Sequence, residues 1–295
     1  MINNDFKQKV LAAIKERKAN YASDAKFSIV LGINNAQLSR IQNGDIENVI
    51  SDSKWISLAR KLDVAFGNNT ALVAAATPTF QFINTQLTEC QDKSMSFMLC
   101  DMAGIGKTFA ARAYVKTHRN SVYIDCSQVK SKQKLIRQIS KEFGLNNTGR
   151  YHEIYDDLVY YLRSIPNPIV VIDEAGDLDY PAFLELKALW NATENCCGWY
   201  MMGADGLKAK FESNLGRKKV GYAELFRRYG ERFQKVTPDG KADMDKFART
   251  AIAMVAKANG FNNVQELYAK TGGSLSRLSV EIKKLKNNGD DNNQL

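Results

Sequence analysis

Cys100-Asp-Met-Ala-Gly-Ile-Gly-Lys-Thr-Phe-Ala-Ala111 follows the apolar run Ser96–Cys100 and leads into an alanine-rich helical stretch. A strand, a glycine loop and a helix in that order make the context in which Gly-Lys-Thr binds phosphate. Glycines at 104 and 106 let the backbone take left-handed dihedrals and come close to an anion. The loop amides and the helix N-terminus then face its charge. In that setting Lys107 reaches the β- and γ-phosphates of ATP, and Thr108 offers its hydroxyl to Mg2+. Ala103, Gly104, Ile105, Gly106, Lys107, Thr108 and Phe109 are therefore the expected cofactor-binding residues. One position departs from G-x-x-x-x-G-K-[ST]: Asp101 stands where the first glycine belongs. A carboxylate beside phosphates is unfavourable unless it points away.

Further along, Pro168-Ile-Val-Val-Ile-Asp-Glu174 reads as a buried strand ending in two acids. Central parallel strands are apolar on both faces, and ligands bind beyond their C-terminal ends. Asp173 is expected to hold Mg2+ through water, and Glu174 to polarise the water that attacks ATP. Around these two motifs, short apolar runs alternate with helical stretches from 94 to 237: Phe97–Cys100, Val122–Cys126, Ile169–Ile172, Trp199–Met202 and Phe233–Val236. The alternation predicts an α/β core, a parallel sheet with helices on both faces.

Outside the core the pattern is helical. Phe6, Val10, Ala13, Ile14 and then Trp55, Leu58, Ala59, Leu62 recur at helical spacing. The expected division is a small all-α domain over 1–66, a linker over 67–78, a nucleotide-binding core over 79–238, a helical lid over 239–286 and a disordered tail over 287–295. Lys and Arg outnumber Asp and Glu by 41 to 32, a net +9 that favours a polyanionic partner. No segment reads as a membrane span. The five cysteines show no CxxC or zinc spacing and read as reduced thiols of a cytoplasmic protein, and two histidines make a His-based catalytic site improbable.

Taken together, these motifs resemble the AAA+ ATPases: Walker A, then Walker B at Asp173-Glu174, then a strand ending Met202-Gly-Ala-Asp205. The resemblance implies a AAA+ P-loop NTPase core plus helical lid, with Asp205 as the sensor at the end of that strand. Glu224-Leu-Phe-Arg-Arg-Tyr-Gly-Glu-Arg-Phe233 looks like the arginine-finger region, with Arg228 first and Arg227 and Arg232 as alternatives. Such an arginine acts on a neighbouring subunit's γ-phosphate. Gly272-Gly-Ser-Leu-Ser-Arg277 is similar to the second-sensor helix of the lid, its arginine displaced by one, which makes Arg277 a further nucleotide-binding candidate.

Ser23–Gly44 resembles the helix-turn-helix of lambda-repressor-like domains, with Gly32 at the turn and Ile33 as buried anchor. In such motifs the start of the second helix faces the major groove. Asn35, Gln37 and Arg40 are its DNA-binding candidates, since Asn and Gln read adenine and Arg reads guanine or phosphate. Ten Lys/Arg against seven Asp/Glu leave +3 over residues 1–70. In the core, Lys130, Lys132 and Lys134 crowd a loop and a helix start, where positive charge opposes the macrodipole and suits an external phosphate backbone.

The domain order is similar to that of the Mu B-like family of transposition target-DNA activators. That resemblance implies ATP- and Mg2+-dependent assembly of a homo-oligomer or helical filament on double-stranded DNA, and hydrolysis stimulated by a DNA transposase. Two other readings stay open at this point: a AAA+ replication loader or initiator, and an ATP-sensing helix-turn-helix transcriptional regulator.

Overall fold

The computed structural model describes residues 2–62, 64 and 72–291. Helices α1 (Asn4–Lys18), α2 (Asp24–Leu31), α3 (Asn35–Gln42) and α4 (Asp52–Lys61) open the chain. Asn3, Ser23, Asn34 and Ser51 cap them by accepting from the backbone N–H three residues on. Their apolar faces close around Phe6, Val10, Ile14, Phe27, Leu38 and Trp55. Gly32 ends α2 at φ 75°, and Ile33 beside it is buried in that core. This unit rests on the rest of the molecule through α2 and the turn that precedes it. Asn20 Nδ2 donates to Lys116 O, and Lys26 Nζ lies 3.8 Å from the centre of the Tyr161 ring.

The next elements are α5 (Pro78–Lys93), β1 (Ser96–Cys100), α6 (Lys107–Thr117), β2 (Ser121–Asp125), α7 (Lys132–Glu142), α8 (Tyr151–Ser164) and β3 (Ile169–Asp173). They continue as α9 (Tyr180–Ala192), β4 (Gly198–Gly203), α10 (Asp205–Gly216), α11 (Tyr222–Arg228) and β5 (Phe233–Gln234). The strands form one parallel sheet in the order β2-β3-β4-β1-β5. Alternation along the strands feeds two cores. Met98, Val170, Ile172, Trp199 and Met201 face α7 to α10 on one side, while Leu99, Val171, Tyr200 and Met202 face α5 and α6 on the other. Each such side chain contributes about 1.5–3 kcal/mol by leaving water, which is why β3 is buried along its whole length. Gly198 starts β4 where α5 crosses: a Cβ there would sit 2.3 Å from Cys90 O.

Two expected boundaries change. The last strand, expected to reach Val236, ends at Gln234, because the N–H groups of Val236 and Thr237 donate to the Asp101 carboxylate and not to a strand. The lid comprises α12 (Lys241–Ala258), α13 (Val264–Thr271) and α14 (Leu275–Asp291) around Ile252, Leu267, Leu278 and Ile282. Thus α14 runs through five residues of the tail expected to be disordered, and 292–295 lie outside the described residues. Of the expected linker, 67–71 also lie outside. Leu72 packs on the lid, and Val73 exchanges hydrogen bonds with the Asn259 side chain. Thr77 caps α5 with Pro78 in its first turn.

Candidate nucleotide site and nucleic-acid surfaces

At the C-terminal end of β1 the chain turns through Gly104 (φ 81°) and Gly106 (φ 96°) into α6. Both angles lie in the left-handed region that glycine tolerates. Lys107 is buried at the helix start, and its Nζ donates to Asp101 O and Met102 O, each at 2.7 Å. Burial lowers the pKa of its amine, and the charges of Asp101, Asp173, Glu174 and Asp205 oppose that shift. The ammonium is thus parked on carbonyls of its own loop, within the field of four acids, where a phosphate group can take it over. Ile105 is buried, and Phe109 is half exposed beside Phe80.

Asp101 points away from this loop. Its carboxylate is 2% exposed. Oδ2 accepts from Val236 N at 2.7 Å and Thr237 N at 2.8 Å, while Oδ1 accepts from Thr237 Oγ1 at 2.6 Å and Met102 N at 2.8 Å. The acid in the first-glycine position therefore fastens the loop to the chain that leads into the lid. A second contact closes the same ring: Leu275 N, at the start of α14, donates to Gly104 O at 2.9 Å. Between loop and lid lies a cavity of about 290 Å³, lined by Met102, Ala103, Thr237, Lys241 and Tyr268 among others.

The two sequence motifs meet across β4. Thr108 Oγ1 donates to Asp173 Oδ2 at 2.7 Å, and Asp173 is 1% exposed. Asp173 Oδ1 accepts from Glu174 N at 2.8 Å. Glu174 takes φ 49°, a left-handed conformation unusual for a residue with a side chain. Burial, and then the neighbouring Asp173, raise its pKa. The turn after it is held by Lys210 Nζ, which donates to Gly176 O and Leu178 O. Mg2+ keeps several waters and takes one or two protein oxygens plus phosphates. A hydroxyl and a carboxylate side by side fit that habit, and no group of three or more His, Cys, Asp or Glu suited to a metal occurs among the described residues.

Two partners of this site were not visible in the sequence pattern. Tyr123, on β2, donates its Oη proton to Asp173 Oδ2 at 2.6 Å, and Lys210 braces the turn after Glu174. An aromatic in a strand and a lysine in a helix carry no signal of either role.

The remaining candidates are placed as follows. Asp205 is the exposed first residue of α10, just beyond β4. Arg228 is half-buried; its Nε donates to Asn191 Oδ1, its Nη1 to Glu224 O, and its guanidinium lies 5.0 Å from the Trp190 ring. Arg227 and Arg232 are exposed nearby. Ser274, Leu275 and Ser276 are lid residues that meet Gly104, whereas Arg277 is exposed one position on. On α3, Asn35 and Arg40 are exposed and Arg40 pairs with Asp45 at 2.7 Å. Gln37 serves as the reciprocal cap of that helix with Asn34, and its Nε2 donates to Val49 O. Lys130 lies in the loop before α7, 3.4 Å from Asp177. Lys132 and Lys134 occupy the first turn of α7, which has no acidic residue, and Lys132 lies over the Tyr151 ring. Cys90, Cys100, Cys126 and Cys197 are buried free thiols, and Cys196 is free and half-buried. Among the described residues no helix is long and apolar enough to cross a membrane.

The AAA domain family matches residues 91–211. The chain is 27% identical over 219 residues to the ATP-dependent target DNA activator B of Escherichia phage D108, and 26% identical over 219 residues to the protein of that name from Escherichia phage Mu. Each match covers 69% of this chain and 65% of the phage protein, so the chain spans about two thirds of those relatives' length. It is also 23% identical over 262 residues to the Mu-like prophage FluMu DNA transposition protein B of Haemophilus influenzae, covering 87% of this chain and 89% of that protein.

Proposed function

Because the AAA domain family matches residues 91–211 and the chain is similar to the ATP-dependent target DNA activators B of two Escherichia phages, we propose that it is an ATP-dependent DNA-binding ATPase that assembles on double-stranded DNA and delivers it as target to a transposase. The observation that carries the catalytic half is the 2.7 Å bond between Thr108 and Asp173, residues 65 apart in sequence. It joins the phosphate loop to the acids at the end of β3, the pairing that phosphoryl transfer to water requires.

In this reading Lys107 leaves the carbonyls of Asp101 and Met102 for the β- and γ-phosphates. Thr108 and Asp173 would hold Mg2+, which when bound with the nucleotide neutralises charge developing on the phosphates. Glu174, its carboxyl group beside the Asp173 charge, orients and deprotonates the attacking water. Arg228, braced by Asn191 and Trp190, is held ready to stabilise the γ-phosphate of a neighbouring subunit, with Arg227 and Arg232 as alternates. Asp205 lies within the electrostatic reach of Lys107 and monitors the γ-phosphate from the end of β4. Arg277, exposed on α14 with its guanidinium near Gly272, is the proposed nucleotide contact from the lid. Assembly would then depend on ATP, because each shared site is completed at a subunit boundary.

The net charge of +9 supports a polyanionic partner. Asn35, Gln37 and Arg40 on α3, and Lys130, Lys132 and Lys134 before and within α7, are the proposed DNA contacts. The test of the catalytic half separates binding from turnover. Lys107→Ala is expected to abolish ATP binding, and Glu174→Gln to keep binding and lose hydrolysis. Near-normal hydrolysis in both variants would refute the assignment.

A further inference from the structure

Asp173 is buried, and three protein donors hold its carboxylate. An ionised carboxylate offers about four acceptor positions. Three are filled by protein: Thr108 Oγ1 and Tyr123 Oη on Oδ2, and Glu174 N on Oδ1. One position remains, on Oδ1. Two of the three donors belong to the nucleotide machinery itself: Thr108 sits on the phosphate-loop helix, and Glu174 is the next residue in the chain. Only Tyr123 comes from outside it.

The sheet explains why a tyrosine does this. β2 lies beside β3 in parallel register, Tyr123 opposite Val171 and Asp125 opposite Asp173. Residue 123 is therefore two positions short of Asp173 along the strands, roughly 6.6 Å. A tyrosine spans that gap with its hydroxyl at the tip, whereas a serine or threonine falls short. The ring is itself held: the Arg112 guanidinium lies 4.9 Å from its centre and reaches Asp125 at 3.9 Å. A carboxylate oxygen has no proton to give and a phenol keeps its own at neutral pH, so the hydroxyl is the donor in this bond.

We infer that Tyr123 is a positioning residue for the nucleotide-bound cation: its hydroxyl fixes the Asp173 carboxylate from the side opposite the phosphate loop, leaving one Oδ1 position to receive a cation-bound water. This rests on the proposed assignment of Asp173 to Mg2+. Outer partners of metal-binding carboxylates set ligand orientation, and their loss typically lowers metal affinity by ~10–100-fold. Loss of the Tyr123 hydroxyl removes one of three such bonds, and an effect of ~10-fold is expected.

The experiment measures binding of a fluorescent ATP analogue to the full chain, first in EDTA and then across a Mg2+ titration. Expected for Tyr123→Phe is unchanged affinity in EDTA, with the Mg2+ midpoint raised ~10-fold. Asp173→Asn should raise the midpoint at least as far, and the double variant should match Asp173→Asn alone. A Tyr123→Phe midpoint equal to wild type, with Asp173→Asn shifted, overturns the role of Tyr123 and leaves the magnesium assignment standing. Equal weakening in EDTA and in Mg2+, the mark of a fold defect, also overturns it. If Asp173→Asn itself leaves the midpoint unmoved, the magnesium assignment fails and the inference falls with it.

Discussion

Replacing Asp101 by alanine tests whether the acid in the phosphate loop is a structural anchor or a repulsive neighbour of nucleotide. In the folded chain its buried carboxylate accepts four hydrogen bonds, from Val236 N, Thr237 N, Thr237 Oγ1 and Met102 N. Alanine leaves those donors without their acceptor, and Thr237 is itself buried. Hydrogen bonds to charged groups are worth ~1.5–3 kcal/mol each, and an orphaned buried donor costs ~1–3 kcal/mol. The four share one site and do not add, and water reaches half-buried Val236, so a loss of ~3–5 kcal/mol is expected. At ~2–4 °C per kcal/mol for a unit of this size, the melting temperature should fall by roughly 10 °C. Asp101→Asn keeps one oxygen toward the donors and should lose about half as much, with its amide opposing Met102 N–H or the Val236–Thr237 pair. Thermal unfolding checks the stability, and binding of a fluorescent ATP analogue checks the site. If the carboxylate instead faced the phosphates, alanine would leave stability within ~1 kcal/mol of wild type and tighten ATP binding. That pair of results would refute the anchoring role.

Three other perturbations have definite outcomes. Arg228→Ala should bind ATP and hydrolyse it ~10³-fold more slowly, and mixing it with Glu174→Gln should recover activity at the one interface that pairs two intact halves. Absence of recovery in confirmed mixed assemblies would place the arginine's action within one subunit. The triple change of Lys130, Lys132 and Lys134 to Ala should weaken DNA binding on all sequences alike and flatten the log–log salt slope by ~0.9 for each phosphate no longer neutralised; an unchanged slope removes this segment from the DNA path. Burial first, and then Lys141, pull the Lys61 amine down from 10.5 to about 8. The unfolded chain thus holds more protons between those two values, so stability rises with pH across that window and the penalty is fully present below about 8. Urea midpoints of wild type minus Lys61→Met should climb from pH ~7.5 to ~9.5, and parallel profiles would contradict the shift.

Much of the core could be read from local pattern. The apolar runs ending at Cys100, Ile172 and Met202 lie in strands, because buried parallel strands need continuous hydrophobic faces whatever surrounds them. Gly104, Gly106 and Lys107 announce their geometry through residue type alone. What stayed hidden depends on partners far along the chain. Asp101 bonds residues 135 and 136 positions away, and those bonds also cut the last strand short at Gln234. Tyr123 and Asp173 are 50 apart, and a tyrosine in an alternating strand reads as packing. Arg228 is held by Asn191 and Trp190 from another helix. In the lid, the displaced arginine spacing has a counterpart in space: Ser274, Leu275 and Ser276, and not Arg277, stand against Gly104.

The most direct measurement is electron microscopy of the full chain on linear duplex DNA with a slowly hydrolysed ATP analogue, beside Lys107→Ala under the same conditions. Expected are ordered oligomers on DNA of varied sequence with the wild-type chain and none with Lys107→Ala. Single copies bound to DNA regardless of nucleotide, or oligomers that form equally with Lys107→Ala, would contradict ATP-dependent assembly.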